Sequence, residues 1–189
     1  MLQFFRCMMN NICFVSSPVG ALEIQDDGAC LTAVRFAPAG TAASAPNSPV
    51  ARLAARQLQA YFAGTLTRFS VPLALAGTPF QQALWRALLD IPYGQTRSYG
   101  QIAAAINRPR ACRAVGMANN KNPICILVPC HRVIGAGGNL TGYAGGLKIK
   151  EWLLLHERAT VKSLVSSSHA RGQAPRKLIK NLPGGYRTF

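Results

Sequence analysis

A break in character at Ala76-Gly77-Thr78-Pro79 divides this chain and limits the folds open to it. Ahead of the break, short runs of β-branched and aromatic residues alternate with turn residues. Ile12-Cys13-Phe14-Val15 leads into Ser17-Pro18-Val19-Gly20, Ala21 to Ile24 leads into Asp26-Asp27-Gly28, and Leu31 to Phe36 follows. Strands this short, joined by turns this tight, predict a small antiparallel meander. Ala/Pro/Ser/Gly-rich loop fills 37–49. Val50, Leu53, Ala54, Leu58, Tyr61 and Phe62 then recur at helical spacing, so one helix joins the sheet. Phe69 to Leu75 reads as extended again.

Behind the break the pattern is helical. Thr78 can cap a helix with Pro79 at its first position, and Phe80, Leu84, Leu88 and Ile91 share a face until Pro92-Tyr93-Gly94 stops it. Ser98 to Gln101 is a capping box opening a helix over Tyr99 to Ile106. Asn107-Arg108-Pro109 ends that helix, and Ala111 to Asn119 makes another. Two short helices joined by a tight turn suggest a helix-turn-helix, although an ordinary helical hairpin has the same spacing. The small residues Ala111, Ala114, Gly116 and Ala118 favour binding, because they let a helix backbone approach a groove. A glycine-rich loop, Gly135 to Gly146, precedes a last helix over Leu147 to Glu157. The predicted class is α/β (α+β). An N-terminal α/β domain occupies 1–76, a mostly helical domain 77–157, and a mobile basic tail 158–189.

The chemistry is expected at Pro129-Cys130-His131-Arg132-Val133-Ile134. The apolar run Ile126-Leu127-Val128 reads as a strand that Pro129 must stop, which leaves the Cys130 thiol at a strand edge. The thiolate is the nucleophile, and a free thiol has a pKa of about 8.5, so such a site needs a base or a positive charge nearby. His131 and Arg132 are candidates for both. The surroundings agree: from Ile91 to Lys150 there are eight basic residues and no acid, within a chain of 21 Lys plus Arg against 6 Asp plus Glu. That balance is typical of nucleic-acid binders or membrane-surface proteins. No run reaches the roughly 18 apolar residues of a membrane span, and the first 17 residues lack the features of a secretory signal. A reduced, cytoplasmic protein is expected.

A metal site is not expected. Only three histidines exist (131, 156, 169), and neither a CxxC nor an HxxxH spacing occurs. On a continuous strand, Cys125 and Cys130 would point to opposite faces, which makes Cys125 a buried small hydrophobe. Cys7, Cys13, Cys30 and Cys112 read the same way. A Cys-His pair usually needs a third group to hold the imidazole. Glu23, Asp26 and Asp27 belong to the meander and Asp90 ends a helix. Glu151 and Glu157 remain, and spacing does not choose between them.

From Gly77 to Glu157 the chain resembles the DNA-binding and catalytic domain of the methylated-DNA–protein-cysteine methyltransferases, the 6-O-alkylguanine-DNA alkyltransferases. The resemblance runs through Gly77-Thr78-Pro79-Phe80, Ile91-Pro92-Tyr93-Gly94, Ser98-Tyr99, Arg113-Ala114-Val115-Gly116, Asn122-Pro123, the hexapeptide 129–134, Gly142-Tyr143-Ala144-Gly145-Gly146 and Lys150-Glu151-Trp152-Leu153-Leu154. Residues 12–73 look like the family's less constrained, ribonuclease H-like N-terminal domain.

The resemblance implies single-turnover DNA repair. Cys130 would accept the alkyl group from O6 of guanine, with O4 of thymine a further possible target. His131 would act as base through a water, and the match selects Glu157 to orient it. Asn122 would support the site, Tyr99 would donate to the leaving guanine, and Lys150 would assist. Arg113 would fill the gap left by a flipped nucleotide. Ala111, Ala114, Gly116, Lys121, Arg132 and Tyr99 would line the DNA contact, and Tyr143, Ala144, Gly145 and Gly146 the base pocket. The implied partner is double-stranded DNA containing alkylated guanine, engaged by a monomer without cofactor, metal or membrane. The structural zinc of some relatives is not expected here, nor is a regulatory N-terminal domain. Cys125 stands where relatives commonly have serine or proline, and is expected to be neutral. Two other readings exist: an alkyltransferase-like protein that only recruits repair factors, and a helix-turn-helix regulator with Cys130 as redox sensor. The first lacks the acceptor cysteine. The second would bind undamaged operators.

Overall fold

The computed structural model describes residues 11–170, with side chains through 167. The first half is a three-stranded antiparallel sheet, β1 (Asn11–Val15), β2 (Leu22–Asp26) and β3 (Leu31–Phe36), in the order β1-β2-β3. Alternation in β2 buries Leu22, Ile24 and Asp26 on one face, and α1 (Pro49–Phe62) covers it with Val50, Ala54, Leu58 and Tyr61.

Asp26 is a carboxylate at the end of a core strand, and its buried oxygens are all satisfied. It accepts from Asn11 Nδ2 at 2.9 Å, Gly28 N at 2.8 Å and Ser48 Oγ at 2.8 Å. Ser48 in turn caps α1, its Oγ accepting from Ala51 N at 2.9 Å. Asp26 therefore fixes where α1 starts relative to the sheet. Tyr61, three turns on, is delivered to a set place.

Residues 69–75 do not form the predicted strand. They make one parallel bridge, Leu31↔Leu73, through Leu31 N to Pro72 O and Ala74 N to Leu31 O. Pro72 has no N–H with which to lengthen the ladder.

In the second half, Thr78 and Gln81 form a capping box on α2 (Pro79–Leu89), and Ser98 and Gln101 do the same on α3 (Tyr99–Ala105). Asn107, at φ +56°, turns the chain toward α4 (Cys112–Asn120). The indole of Trp85 in α2 donates to Ala118 O at 3.0 Å, so α4 is fastened by its buried side and keeps its other side outward. Residues 97–98 form β4 (Arg97–Ser98), which pairs in parallel with β5 (Val133–Ile134).

The reactive segment departs from expectation. Residues 126–128 are not a strand. Leu127 N donates to Cys125 O at 2.8 Å and Val128 N to Ile124 O at 3.0 Å, with Ile126 in the left-handed region at φ +71°. A β-branched residue there costs on the order of 1–3 kcal/mol, sustained by its surroundings. Pro129 is followed by a 3-10 turn, Cys130–Arg132, and β5 begins only after it. Cys130 thus precedes a strand instead of ending one. A short buried apolar run has no period that separates strand from coil, and this one is buried as a compact turn.

The last helix, α5 (Leu147–Ala170), runs thirteen residues past its predicted end and takes in the start of the expected tail. No glycine or proline lies between 147 and 170 to stop it. Its Thr160 and Val161 side chains sit against Gly64 and Gly94. The remaining tail, 171–189, lies outside the described residues. No described helix is long and apolar enough to cross a membrane.

The glycine-rich loop meets the sheet at Gly145, where an added Cβ would stand 2.7 Å from Phe36 Cε2. Gly145→Ala therefore forces Phe36 to move, at an expected cost of about 1–3 kcal/mol. Gly137→Ala in the same loop meets only Asn139 Nδ2 at 3.8 Å and should change stability by less than about 0.5 kcal/mol. Urea unfolding of both variants measures the difference.

Candidate active site around Cys130

The turn that buries residues 124–128 also brings two thiols together. Cys130 is 2 % exposed and Cys125 3 %. Asn122, at the mouth of the turn, is held by Ile124 N, which donates to its Oδ1 at 3.0 Å. Its Nδ2 donates to Val128 O at 2.8 Å and to Cys130 Sγ at 3.0 Å. The Cys125 thiol reaches the other side of the same residue, with Asn122 O at 4.0 Å. The expectation that these residues point apart is thus corrected: it needed a continuous strand, and the chain folds back instead.

Their acidities split accordingly. The neighbouring Cys125 holds the Cys130 thiol low; burial opposes this, and the Asn122 amide and the Lys150 ammonium reinforce it. The same pairing, with burial, pushes Cys125 far up.

Glu157 is a fully buried carboxylate on α5, and five donors converge on it. Tyr61 Oη reaches Oε1 at 2.9 Å and Gly94 N reaches Oε2 at 2.9 Å. Arg132 adds a fork, Nε to Oε2 and Nη2 to Oε1, both at 2.9 Å. His131 Nε2 lies 2.8 Å from Oε1. Burial works against the charged form, yet His131 and Arg132 hold the pKa of Glu157 well below the usual carboxylate range. An ionised carboxylate only accepts, so His131 Nε2 carries the hydrogen and Nδ1 is the free lone pair. Burial lowers the His131 pKa despite Glu157, which keeps the ring neutral near pH 7. Nδ1 is buried and has no hydrogen-bond partner in the protein.

Lys150 sits two helical turns before Glu157, fully buried, and donates to Val133 O at 2.6 Å and Thr141 O at 2.7 Å. Burial lowers its pKa to about 8. Thr141 Oγ1 also donates to Tyr99 Oη at 3.1 Å, so Thr141 ties the base of α3 to Lys150. Tyr143 packs edge-on between Phe36 and His131, with ring centroids 5.7 Å and 6.5 Å away. Gly145 faces Phe36, leaving Ala144 and Gly146 exposed on this loop.

Arg132 requires a second correction. Expected at the DNA surface, it turns inward to Glu157, to Ile91 O at 2.7 Å, and over the Tyr93 ring at 5.5 Å. A buried carboxylate needs a paired cation, and Arg132 is that cation. The other anticipated contact residues behave differently: Arg113, Ala114 and Lys121 lie exposed along α4, Ala111 and Gly116 are half-buried, and Arg108 and Arg110 are exposed just ahead of it.

The structure brings together Cys130, His131, Asn122, Glu157, Lys150 and Tyr143. Tyr61, Gly94, Thr141 and Cys125 complete the site and were not anticipated. Tyr61 is 96 residues from Glu157, beyond any local pattern. Only the surplus polar group on an otherwise apolar helix face hinted at it.

Comparison with known proteins agrees with this architecture. The ribonuclease-like domain of 6-O-methylguanine DNA methyltransferase matches residues 13–75, and the DNA-binding domain of the same family matches 79–159. A methylated-DNA–protein-cysteine methyltransferase of Methanosarcina acetivorans is 54 % identical over 143 residues, covering 73 % of this chain and 92 % of the relative. Its counterpart in Mycobacterium bovis is 52 % identical over 150 residues, covering 77 % and 90 %. The crystal structure of Mycobacterium tuberculosis O6-methylguanine methyltransferase aligns with a TM-score of 0.74 at 49 % identity, covering 80 % of this chain and 94 % of that one. The structure of the M. tuberculosis protein OGT in complex with DNA aligns at 0.72 and 51 %, covering 78 % and 92 %. With both halves matched in order and the buried Cys130 within the second, this chain belongs to the 6-O-methylguanine DNA methyltransferase family, the methylated-DNA–protein-cysteine methyltransferases.

Proposed function

We propose that the protein repairs DNA by direct reversal, taking the alkyl group from O6 of guanine onto Cys130 once per molecule. The observation that carries this reading is the 3.0 Å hydrogen bond from Asn122 Nδ2 to Cys130 Sγ. An amide donor aimed at a buried sulfur favours the thiolate.

The steps follow from the groups in place. A proton leaving Cys130 passes through a water to Nδ1 of His131, whose Nε2–H stays on Glu157. The sulfur attacks the alkyl carbon, the S–C bond forms as the C–O6 bond breaks, and the electron pair goes to guanine. Tyr99 Oη donates a hydrogen bond that eases the charge growing on the departing base, and the proton taken up by His131 returns through water to guanine, which leaves neutral; help of this kind is typically worth about 100- to 10,000-fold. The thioether has no group beside it able to remove the alkyl. At 2 % exposure the sulfur is out of reach of a base stacked in a duplex, so the nucleotide turns out of the helix to be read.

The outward face of α4, with Arg113 and Lys121, supplies the DNA contact, and α3 with α4 acts as a helix-turn-helix. Phosphate-directed contacts of this sort do not depend on sequence, which suits a lesion that arises anywhere. A fixed operator would demand base-reading side chains, and the exposed small residues of α4 offer none.

Three outcomes test this account. Methyl label from duplex DNA containing 6-O-methylguanine should transfer to the protein, saturate near one per molecule, and be absent in Cys130→Ala. Arg113→Ala should weaken DNA binding and leave the urea midpoint unchanged, whereas Arg132→Ala should cost about 3–5 kcal/mol of stability by leaving Glu157 unpaired. Stability should also fall with acid. The lowered His131 pKa means that the unfolded chain takes up a proton below about pH 6.5 that the folded chain refuses. That contribution is complete above about pH 6.5 and declines beneath it, while Glu157 keeps its own contribution until well below the usual carboxylate range. Urea unfolding at pH 7.5 and 5.5 checks this, and equal stabilities would contradict a neutral His131.

A further inference from the structure

Thr141 lies exposed on the glycine-rich loop, and the mechanism gives its side chain no task. Its backbone is nevertheless fixed. Thr141 O accepts from the buried Lys150 Nζ at 2.7 Å, and the same ammonium holds Val133 O at 2.6 Å. Lys150 thus clamps the loop to the strand that follows the Cys130 turn. From this fixed backbone the Thr141 hydroxyl reaches a residue 42 positions away, its Oγ1 donating to Tyr99 Oη at 3.1 Å.

Tyr99 is held elsewhere too. It follows directly on Ser98, which pairs with Ile134 in the β4–β5 ladder. Its ring lies against α4, where a Cβ added at Gly116 would stand 3.8 Å from Cε1 and 3.9 Å from Cδ1. The phenol proton is the one loosely held element. Among the described residues, its acceptor is Thr141 O at 3.5 Å, the outer limit for a hydrogen bond, and that carbonyl already serves Lys150. A phenol oxygen that accepts one hydrogen bond is polarised toward donating another. The Tyr99 O–H is therefore primed for donation and poorly satisfied until a better acceptor arrives.

We propose that Thr141 is a positioning residue for the leaving group in alkyl transfer: by donating to Tyr99 Oη it occupies the accepting side of the phenol and leaves the Tyr99 proton for the departing guanine. The proposal rests on the repair reading, in which Tyr99 donates to guanine, and adds the residue that orients this donor. Thr141 gives up no proton and forms no bond to substrate. A donor already aimed where charge will develop needs no reorganisation at the moment of reaction. Without the Thr141 hydroxyl, the Tyr99 O–H turns freely between two sides of its ring.

The test is single-turnover methyl transfer from saturating duplex DNA containing 6-O-methylguanine. It compares the full-length protein with Thr141→Val, Thr141→Ser, Tyr99→Phe and the double variant Tyr99→Phe/Thr141→Val. Loss of one orienting hydrogen bond should slow Thr141→Val about threefold to tenfold, and serine, which keeps the hydroxyl, should restore most of the rate. In the Tyr99→Phe background the valine change should add nothing, because no phenol is left to orient. A residue that merely shapes the loop would slow both backgrounds alike. Alkylation of Cys130 by iodomethane, whose iodide departs without a donor, is the reference, and transfer from DNA should fall relative to it in Thr141→Val. An unchanged rate in Thr141→Val, a serine variant as slow as the valine one, or equal slowing in both backgrounds would overturn the proposal. No transfer from DNA in the unaltered protein, with Cys130 still alkylated by iodomethane, would instead overturn the repair reading on which it stands.

Discussion

The carboxylate of Glu157 is sealed from solvent, and the residues that surround it are arranged by the need to keep it charged. An ion of this size left unpaired in a protein interior costs several kcal/mol even after relaxation. Here the cost is met by donors from separate parts of the chain: Tyr61 from α1, the backbone at Gly94, and His131 and Arg132 from the turn that carries Cys130. Because Arg132 carries the compensating charge, His131 need not. The imidazole is free to stay neutral and offer a lone pair. The charge on Glu157 thus fixes the tautomer of His131, and the tautomer fixes which nitrogen is available for chemistry.

The N-terminal sheet and helix hold no reacting atom, yet three of their contacts end at the site. Tyr61 reaches Glu157, Phe36 fills the space against Gly145 and Tyr143, and Val34 pairs with the backbone on either side of Ile124. The last of these holds the turn in which Ile126 adopts its left-handed conformation. A folded-back segment with one strained residue needs an external clamp, and β3 provides it. The first half works as a frame against which the reactive turn is pressed.

Much of this is legible in the chain. The strands of the meander, the caps of α2 and α3, and the pairing of Cys130 with His131 are written in local patterns a few residues long. The choice of Glu157 over Glu151 comes from family resemblance, since both lie on the same helix. What sequence does not carry are the relations that depend on how segments meet. Arg132 looks like one more base in an acid-free stretch, and only packing shows that it faces inward to a carboxylate 25 residues away. Residues 126–128 have the composition of a strand, and two bracketing prolines with a tight turn make them something else. The position of Cys125 is hidden for the same reason. The end of α5 is obscured because a basic run reads as tail, although nothing in it stops a helix.

Lys150 and Glu157 stand seven residues apart on one helix, which is two turns and about 10.5 Å of rise. One end of that interval anchors the carbonyls of Val133 and Thr141, and the other anchors His131 and Arg132. The helix therefore acts as a gauge rod laid along the reactive turn, setting the span between the two ends of its hydrogen-bonded frame. One residue inserted between the two positions would rotate the far end by about 100° and take both anchors out of register together. The loop from 135 to 142 has no such duty along most of its length. Within this one domain, a stretch of seven residues is metrically rigid while a neighbouring stretch of similar length is open to change.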